Sequence, residues 1–196
     1  LDEYDVVRSS RAVMNFVDEL STWYLRLSRD RVRDSQTNAE TSQVFGYALY
    51  TLAQLMAPFA PFFAETVHHT LVNEESSIHH TDWPTIKQVL HQPELEKQMA
   101  LSRTAVEQIR ATRTEQGLKL RQPLASATIL STESSPSDAL LTVIAEEINV
   151  KEVIWKQVDS EQIADGDMLT VSLDTTLTPE LKAEGEAREL IRQIQT

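Results

Sequence analysis

The first two thirds of the chain place apolar residues at the three-to-four-residue spacing of amphipathic helices. The longest uninterrupted stretch, 4–33, predicts one helix whose apolar members are Val6, Val13, Phe16, Val17, Leu20, Trp23, Tyr24 and Leu27. Similar spacing predicts a helix over 40–56 and another over 93–115, and Gly117 is expected to end the latter in the left-handed conformation. Two prolines in MAPFAPFFAE predict a break and a short helix from Pro61.

Beyond Pro123 the pattern changes to short runs separated by turn residues. Three runs predict β-strands: LASATIL (124–130), VKEVIW (150–155) and MLTVSL (168–173). A helix is expected after the first, with Ser135 as its N-cap and Pro136 at its first position, and a last helix from Pro179. The chain is therefore predicted to be mainly α, with a helical bundle over 1–122 followed by a small β-α-β-β-α module over 123–196.

Composition limits the classes of protein that the chain can represent. It has no cysteine, which excludes disulfides and thiolate zinc sites. Its start resembles no signal peptide, and its apolar runs are too short to span a membrane, so we expect a cytoplasmic protein without a membrane partner. The absence of an initiator Met and a last helix without a stop signal predict that the chain is a fragment of a longer polypeptide.

The net charge of −12 argues against a general nucleic-acid binder and against DNA as a partner. Positive charge is confined to two places. Residues 1–33 balance six arginines against six acids, and residues 101–123 carry five basic residues against two acids. Any contact with a polyanion is therefore expected to be local.

Five arginines of the first predicted helix fall within a sector of roughly 60° on an ideal helix. They are Arg8, Arg11, Arg26, Arg29 and Arg33. A guanidinium donates two parallel hydrogen bonds to a phosphate, so this face is a candidate RNA contact. The alternative is a solvated helix face with local ion pairs to Asp18, Glu19 or Asp30.

Arg31 belongs to a different part of the same helix. On an ideal helix it points into the apolar sector beside Tyr24 and Leu27. A buried arginine requires a carboxylate or carbonyl partner, so we expect a structural role for it. We expect structural roles also for Trp23 and Tyr24, and for Trp83 and Pro84 at the end of the polar loop NEESSIHHTDWP.

The segment RTEQGLKLRQPL (113–124) concentrates Arg113, Lys119 and Arg121 around a glycine turn. A basic loop of this kind is a second candidate for contact with a phosphate backbone. The alternative is a linker whose charges are solvated.

We predict no catalytic or metal site in this chain. The histidines occur as adjacent pairs and one singleton, and adjacent histidines on a helix point about 100° apart, which prevents chelation by the pair. A glycine-rich phosphate loop and a nucleophile elbow are both absent.

Five segments, in order, resemble one family. FVDELSTWYLRLSRDR (16–31) is similar to the helix that opens the anticodon-binding bundle of class I aminoacyl-tRNA synthetases for isoleucine, valine and leucine. MAPFAPFFAE and SIHHTDWP resemble the bundle's next joint and loop, and AEEINVKEV and ELKAEGEARELIRQIQ resemble the junction domain that follows. The segment 113–124 resembles a signature that favours the isoleucyl-tRNA synthetases over the valyl and leucyl enzymes.

The resemblance implies an anticodon-binding region that docks on the anticodon stem and loop of tRNA for isoleucine. The parent enzyme would activate isoleucine with ATP in a catalytic domain whose signatures this chain lacks, so no cofactor is expected in the chain itself. The catalytic domain of the same polypeptide is the second expected partner. Two alternatives remain: the same region of a valyl- or leucyl-tRNA synthetase, and a helical protein-interaction module whose arginines dock an acidic protein.

Overall fold

The computed structural model describes residues 5–72, 76–85, 87–163 and 167–195. They form two compact units, 1–88 and 89–196. The first unit is helical and the second combines three helices with a small sheet. The predicted fold class, mainly α with a small β-α-β-β-α module, is confirmed.

The first unit begins with a helical rod that runs over residues 6–33. It comprises α1 (Val6–Glu19), a π turn (Leu20–Tyr24), α2 (Leu25–Leu27) and α3 (Arg29–Arg33). Asp5 caps its start, where the carboxylate accepts a hydrogen bond from the N–H of Arg8 at 2.9 Å. Backbone hydrogen bonds from Ser28 to Tyr24 and from Val32 to Ser28 carry the helix across its last junction. We call residues 6–33 the first rod.

Helices α4 (Asn38–Met56) and α5 (Pro61–Val72) form a hairpin across the proline joint. Its core uses small residues, Ala53, Ala57 and Ala64, so the two helices approach closely, and Ile78 closes one end. The first rod contacts α4 partly through Tyr24, whose ring stacks on Phe45 at a centroid separation of 6.3 Å. The predicted helix start at Pro61 is confirmed.

The second unit is built from α6 (Pro93–Glu115) and the predicted module. The module contains β1 (Leu124–Ser131), α7 (Asp138–Ile148), β2 (Val150–Gln157), β3 (Leu169–Leu173) and α8 (Pro179–Gln195). The strand order is β2-β1-β3, with β1 parallel to β2 and antiparallel to β3. Gly117 has a φ of 67°, which confirms the left-handed turn predicted after α6.

Two details of the second unit differ from the sequence predictions. The predicted boundary at 122/123 lies inside this unit, because α6 packs on α7 and β3. The predicted cap of α7 is also wrong: the helix starts at Asp138 after Ser137, and Pro136 is buried ahead of it.

Aliphatic side chains of α6, the sheet and α7 form a dense core in the second unit. Fully buried members include Val106, Ile109, Leu124, Ile129 and Ile144. Their alternation in β1 and their spacing in α6 and α7 follow from the two-residue and 3.6-residue periods of strand and helix. Arg113 ties the loop 116–123 to α6, and Gln122 of that loop donates a hydrogen bond to the Leu181 carbonyl of α8.

Candidate nucleic-acid interface

Four of the five arginines of the first rod that were predicted to contact RNA are exposed. Arg8, Arg11, Arg29 and Arg33 make no ion pair with the part of the chain that the structure describes. Arg8 and Arg11 flank an open hollow together with Asp5 and Asn15. These guanidiniums are therefore free to donate to an external acceptor, and the predicted local ion pairs with Asp18 and Asp30 do not form.

The π turn changes how these arginines are arranged. The N–H of Leu25 bonds to the carbonyl of Leu20, five residues back instead of four. Such a turn contains one extra residue, so side chains after it are rotated by about 100° relative to an unbroken α-helix. The single stripe predicted for the five arginines is therefore wrong: Arg8 and Arg11 form one group, and Arg26, Arg29 and Arg33 form a second group on a neighbouring face.

The same rotation explains the position of Arg31, whose predicted burial is wrong. The side chain of Arg31 is exposed, and its guanidinium donates to the hydroxyl of Ser28 at 3.3 Å. Ser28 takes the inward position instead and is 1% exposed. A hydroxyl suits this position because it can hydrogen-bond locally, whereas a buried guanidinium would need charged or carbonyl partners.

Arg26 is half-buried and lies over Trp23, with its guanidinium carbon 5.3 Å from the ring centroid. A cation held over an aromatic face at this distance is attracted by the ring quadrupole. Of the second group of arginines, Arg26 is therefore the most restrained, while Arg29 and Arg33 extend into solvent.

Arg113 does not face solvent, so its predicted role in RNA contact is corrected to a structural one. Its side chain is 2% exposed. The guanidinium donates to the carbonyls of Lys119, Gln122 and Asn149, each at 3.1 Å. Burial lowers the pKa of this guanidinium from its ordinary value. Arg113 thus ties the end of α6 to the loop that follows and to the end of α7, and no phosphate can reach it.

Lys119 and Arg121, the other two predicted residues of the loop, are exposed. Arg121 lies 3.6 Å from a carboxylate oxygen of Glu189 in α8. The hydrogen bond from Arg192 lowers the pKa of Glu189, and the charges of Arg121 and Lys119 lower it further. The loop therefore presents two basic side chains beside α8.

Asn149 is a residue to which the sequence patterns assigned no role. It follows α7 with a φ of 53°, and its side-chain amide donates to the carbonyl of Leu120 at 2.9 Å. An asparagine directly after a helical pattern, as in EEINV, is a recognised signal for a left-handed helix end and could have identified it. Asn149 connects α7 to the basic loop.

An open apolar hollow of about 660 Å³ lies between α1 and α4 in the first unit. Its lining residues are Ser9, Ala12, Val13, Phe16, Leu52, Leu55, Phe59 and Trp83. Trp83, expected to be structural, forms one wall yet remains 53% exposed. Pro84 is half-buried and lines a smaller neighbouring hollow. The amide of Gln54 holds this loop by donating to the Thr81 hydroxyl at 3.1 Å and to the Asp82 carbonyl at 3.2 Å.

Glu65 of α5 anchors the other end of the same loop. Its carboxylate accepts hydrogen bonds from the hydroxyl of Ser77 and from the N–H of Ile78. The Ser77 hydrogen bond is the main cause that lowers the pKa of Glu65, followed by the Ile78 N–H and the nearby His79 and His69, while burial opposes the shift. The loop before Trp83 is therefore held by a carboxylate in its charged form.

Among residues 5–72, 76–85, 87–163 and 167–195, no three His, Asp or Glu side chains are grouped as ligands for a metal ion. Over the same ranges every helix is too short or too polar to cross a bilayer.

A family model for the anticodon-binding domain of tRNA ligase matches residues 1–129. An isoleucine–tRNA ligase of Dehalococcoides mccartyi is 33% identical over 100% of this chain and 21% of its own length. One from Deinococcus radiodurans is 38% identical over 83% of this chain and 16% of its own length. An isoleucine–tRNA ligase 2 of Bacillus cereus is 37% identical over 77% of this chain and 15% of its own length.

The chain thus spans about a fifth of the length of the first of these relatives. The family match covers the whole first unit, α6 and most of β1, so it includes the first rod and the basic loop. Together with the relatives, one of which aligns over the whole chain, it confirms the resemblance inferred from the five sequence segments. On this match, the chain belongs to the family of anticodon-binding domains of tRNA ligases.

Proposed function

We propose that this chain binds the anticodon stem and loop of the tRNA for isoleucine, as the non-catalytic anticodon-binding part of an isoleucine–tRNA ligase. The parent enzyme would join isoleucine to its tRNA with ATP in a catalytic domain of the same polypeptide, in the cytoplasm. Relatives that are isoleucine–tRNA ligases support the choice of amino acid.

The observation that carries the proposal is the set of exposed arginines on the first rod within a family-matched domain. Arg8, Arg11, Arg29 and Arg33 lie on one helical rod, are exposed, and have no ion pair with the described residues. An overall charge of −12 repels RNA, so binding has to occur where positive charge is concentrated. Phosphate contacts of this kind position an RNA, while unpaired anticodon bases provide the sequence information.

The test is equilibrium binding of this chain to an isoleucine tRNA transcript over a range of salt concentrations. Each phosphate contact contributes a slope of about −0.9 in duplex regions or −0.7 in single strands to the dependence of log K on log salt. Replacing Arg8 and Arg11 together by alanine should flatten the slope by about one to two units. The pair Arg29 and Arg33 should behave in the same way if both groups contact the RNA.

The control for the pair Arg29 and Arg33 is Arg31→Ala, which removes one positive charge from the same half of the rod. Arg31 is two residues from both Arg29 and Arg33 and therefore lies roughly 160° around the helix from each of them. An unchanged slope for this variant supports a contact by specific faces. An equal loss per charge removed for Arg31 and for the pair Arg29 and Arg33 would contradict it and indicate a response to total charge alone.

Two further measurements test the remaining parts of the proposal. The chain alone should show no aminoacylation of tRNA with isoleucine and ATP. A tRNA transcript with a replaced anticodon should bind more weakly than the isoleucine transcript, by roughly tenfold or more for one or two lost base contacts. Equal affinity for both transcripts would contradict recognition of the anticodon.

A further inference from the structure

Five basic side chains of the second unit converge on two glutamates of α8. They are Lys119, Arg121, Lys151, Arg188 and Arg192. Glu184 accepts from Lys151 at 2.6 Å and from Arg188 at 2.8 Å. Glu189 accepts from Arg192 at 2.7 Å and lies 3.6 Å from Arg121. Each carboxylate is therefore shared by at least two cations, and the five cations outnumber these two carboxylates.

Asn149 joins the two groups of charges. Its side-chain amide donates to the carbonyl of Leu120 in the basic loop, and its side-chain oxygen accepts from Arg188 at 2.8 Å. The backbone carbonyl of Asn149 accepts from the buried Arg113. Asn149 therefore connects Arg188, through hydrogen bonds, both to the basic loop and to the buried Arg113.

The charge distribution along α8 is uneven. Arg188 and Arg192 are four residues apart and lie on one face with Glu184, whereas Lys182 is six residues before Arg188 and lies about 120° away. The cations therefore form a local surface made by three elements, the loop 116–123, the start of β2 and one face of α8, in a chain whose residues after Pro123 are otherwise strongly acidic.

We propose that Lys151, Arg188 and Arg192 form one phosphate-binding surface with Lys119 and Arg121, and that its ligand is the sugar–phosphate backbone of the bound tRNA. This inference rests on the proposed function and adds three residues that the sequence patterns did not select. A guanidinium has five N–H donors, so Arg188 can keep its bonds to Glu184 and Asn149 while it donates to a phosphate oxygen.

The shared glutamates have a defined part in this surface. Ion pairs with two cations each hold the long basic side chains in place, which reduces the entropy lost when they bind a phosphate. They also reduce the local positive charge. For a polyanionic ligand the loss of positive charge is the larger effect, so removal of one carboxylate should strengthen phosphate binding, whereas removal of a cation should weaken it.

The first experiment replaces Arg188 and Arg192 together by alanine and measures binding of the isoleucine tRNA transcript against salt. The slope of log K on log salt should flatten by about one to two units. The matched control is Lys182→Ala, which removes a positive charge from another face of the same helix and should leave the slope unchanged. Binding curves of the double variant that overlay those of the unaltered chain at every salt concentration would overturn the proposal.

The second experiment separates phosphate binding from a purely structural role of these ion pairs. Glu189→Gln should bind the tRNA several-fold more tightly at low salt, because one carboxylate is removed from beneath the cations. If the cations served only to attach α8, the variant would melt at a lower temperature with no gain in affinity, and that result would contradict the proposal.

The third variant, Asn149→Gly, retains every charge and the left-handed backbone conformation, which glycine adopts freely. It removes the side chain that positions Arg188. Affinity should fall by roughly threefold to tenfold with an unchanged salt slope, since orientation changes and the number of cations does not. An unchanged affinity would show that Asn149 does not position this surface.

These outcomes distinguish a failure of this surface from a failure of the proposed function. If the Arg8 and Arg11 variants weaken tRNA binding and the α8 variants do not, only the role of α8 is excluded. If the unaltered chain does not bind the transcript at low salt, the proposed function is contradicted, and the role of this surface with it.

Discussion

In the first unit, arginines project from a rod whose opening helix has no buried residue, whereas in the second unit Arg113 lies inside a dense aliphatic core. Both regions, one predicted as a helix face and the other as a basic loop, were predicted to contact RNA from their basic residues. The difference lies in the backbone around them: near Arg113 the carbonyls of Lys119, Gln122 and Asn149 converge and accept its hydrogen bonds, while no such set surrounds Arg29. A guanidinium can be buried only where acceptors converge on its donors, so this set of carbonyls makes Arg113 structural.

The largest effect is expected at Arg113. Arg113→Met keeps much of the apolar volume but removes three hydrogen bonds from a buried guanidinium, and should lower the free energy of unfolding by about 2–4 kcal/mol. Urea denaturation followed by circular dichroism measures this loss. Arg29→Met is the control and should change stability by less than about 0.5 kcal/mol. Equal effects of the two substitutions would remove the distinction between the two regions.

A smaller effect is expected at Gly185 in α8. A Cβ added there would overlap the side-chain amide of Gln122, which is itself held by bonds to the carbonyls of Leu181 and Pro123. Gly185→Ala should therefore destabilise the second unit by roughly 1–3 kcal/mol, as other overpacked sites do.

The control for this prediction has the opposite expected sign. Gly46 lies in α4 of the first unit, and nothing is close to the position of an added Cβ. Gly46→Ala should stabilise the chain by about 0.5–1 kcal/mol, because alanine is the better helix former. Thermal melts of both variants test the pair, and a stabilised Gly185→Ala would show that Gln122 can move aside.

The sequence predicted those parts of the fold that depend on local pattern. The bounds of α6 follow from Pro93 and Gly117, and β1, β2, β3 and α8 follow from apolar alternation and from Pro179. The sequence placed α6 with the preceding helices, whereas it belongs to the second unit. Its apolar spacing does not show whether it packs against the helices before it or the sheet after it. Its buried positions contact α7 and β3, and contacts of that kind are tertiary.

The candidate site was predictable to a lesser degree. Exposed residues such as Arg8, Lys119 and Arg121 lie where the sequence placed them, in solvent. The π turn has no signal in the apolar spacing, so the ideal-helix construction placed Arg31 inside and overlooked Ser28. The burial of Arg113 depends on carbonyls up to 36 residues away in the chain.

Acid should affect the first unit through Glu65. Its pKa in the folded chain is lowered from the ordinary 4.5, mainly by the hydrogen bond from Ser77, so the charged carboxylate stabilises the fold. This contribution is fully present above pH 4.5 and is lost as the pH falls through the lowered pKa. At pH 7, Glu65→Gln should have a lower melting temperature than the unaltered chain. This difference in melting temperature should disappear as the pH falls.

Melting temperatures at several pH values between 7 and 3 measure this prediction. Glu107→Gln, at an exposed position of α6 in the second unit, is the matched control and should follow the unaltered chain at every pH. If the difference in melting temperature between Glu65→Gln and the unaltered chain stays constant down to the lowest pH, the charge of the Glu65 carboxylate is excluded as its source.

The smallest effect on stability is expected from the exposed arginines of the first rod. Arg29→Ala and Arg33→Ala should each change the free energy of unfolding by less than about 0.5 kcal/mol, because neither side chain has an ion pair with the described residues. The same urea curves measure this. A loss above about 1 kcal/mol would indicate that these arginines hold the rod in place, as Arg113 holds its loop.

The extra residue in the π turn divides the first rod into two halves whose side chains can change direction independently of each other. An insertion or deletion of one residue between Leu20 and Tyr24 would turn the distal arginines by about 100° while leaving the proximal pair unmoved. Such a change needs no loop and breaks few backbone hydrogen bonds. Length variation at this one turn is thus a simple route by which related domains could adapt the same helix to RNAs of different curvature.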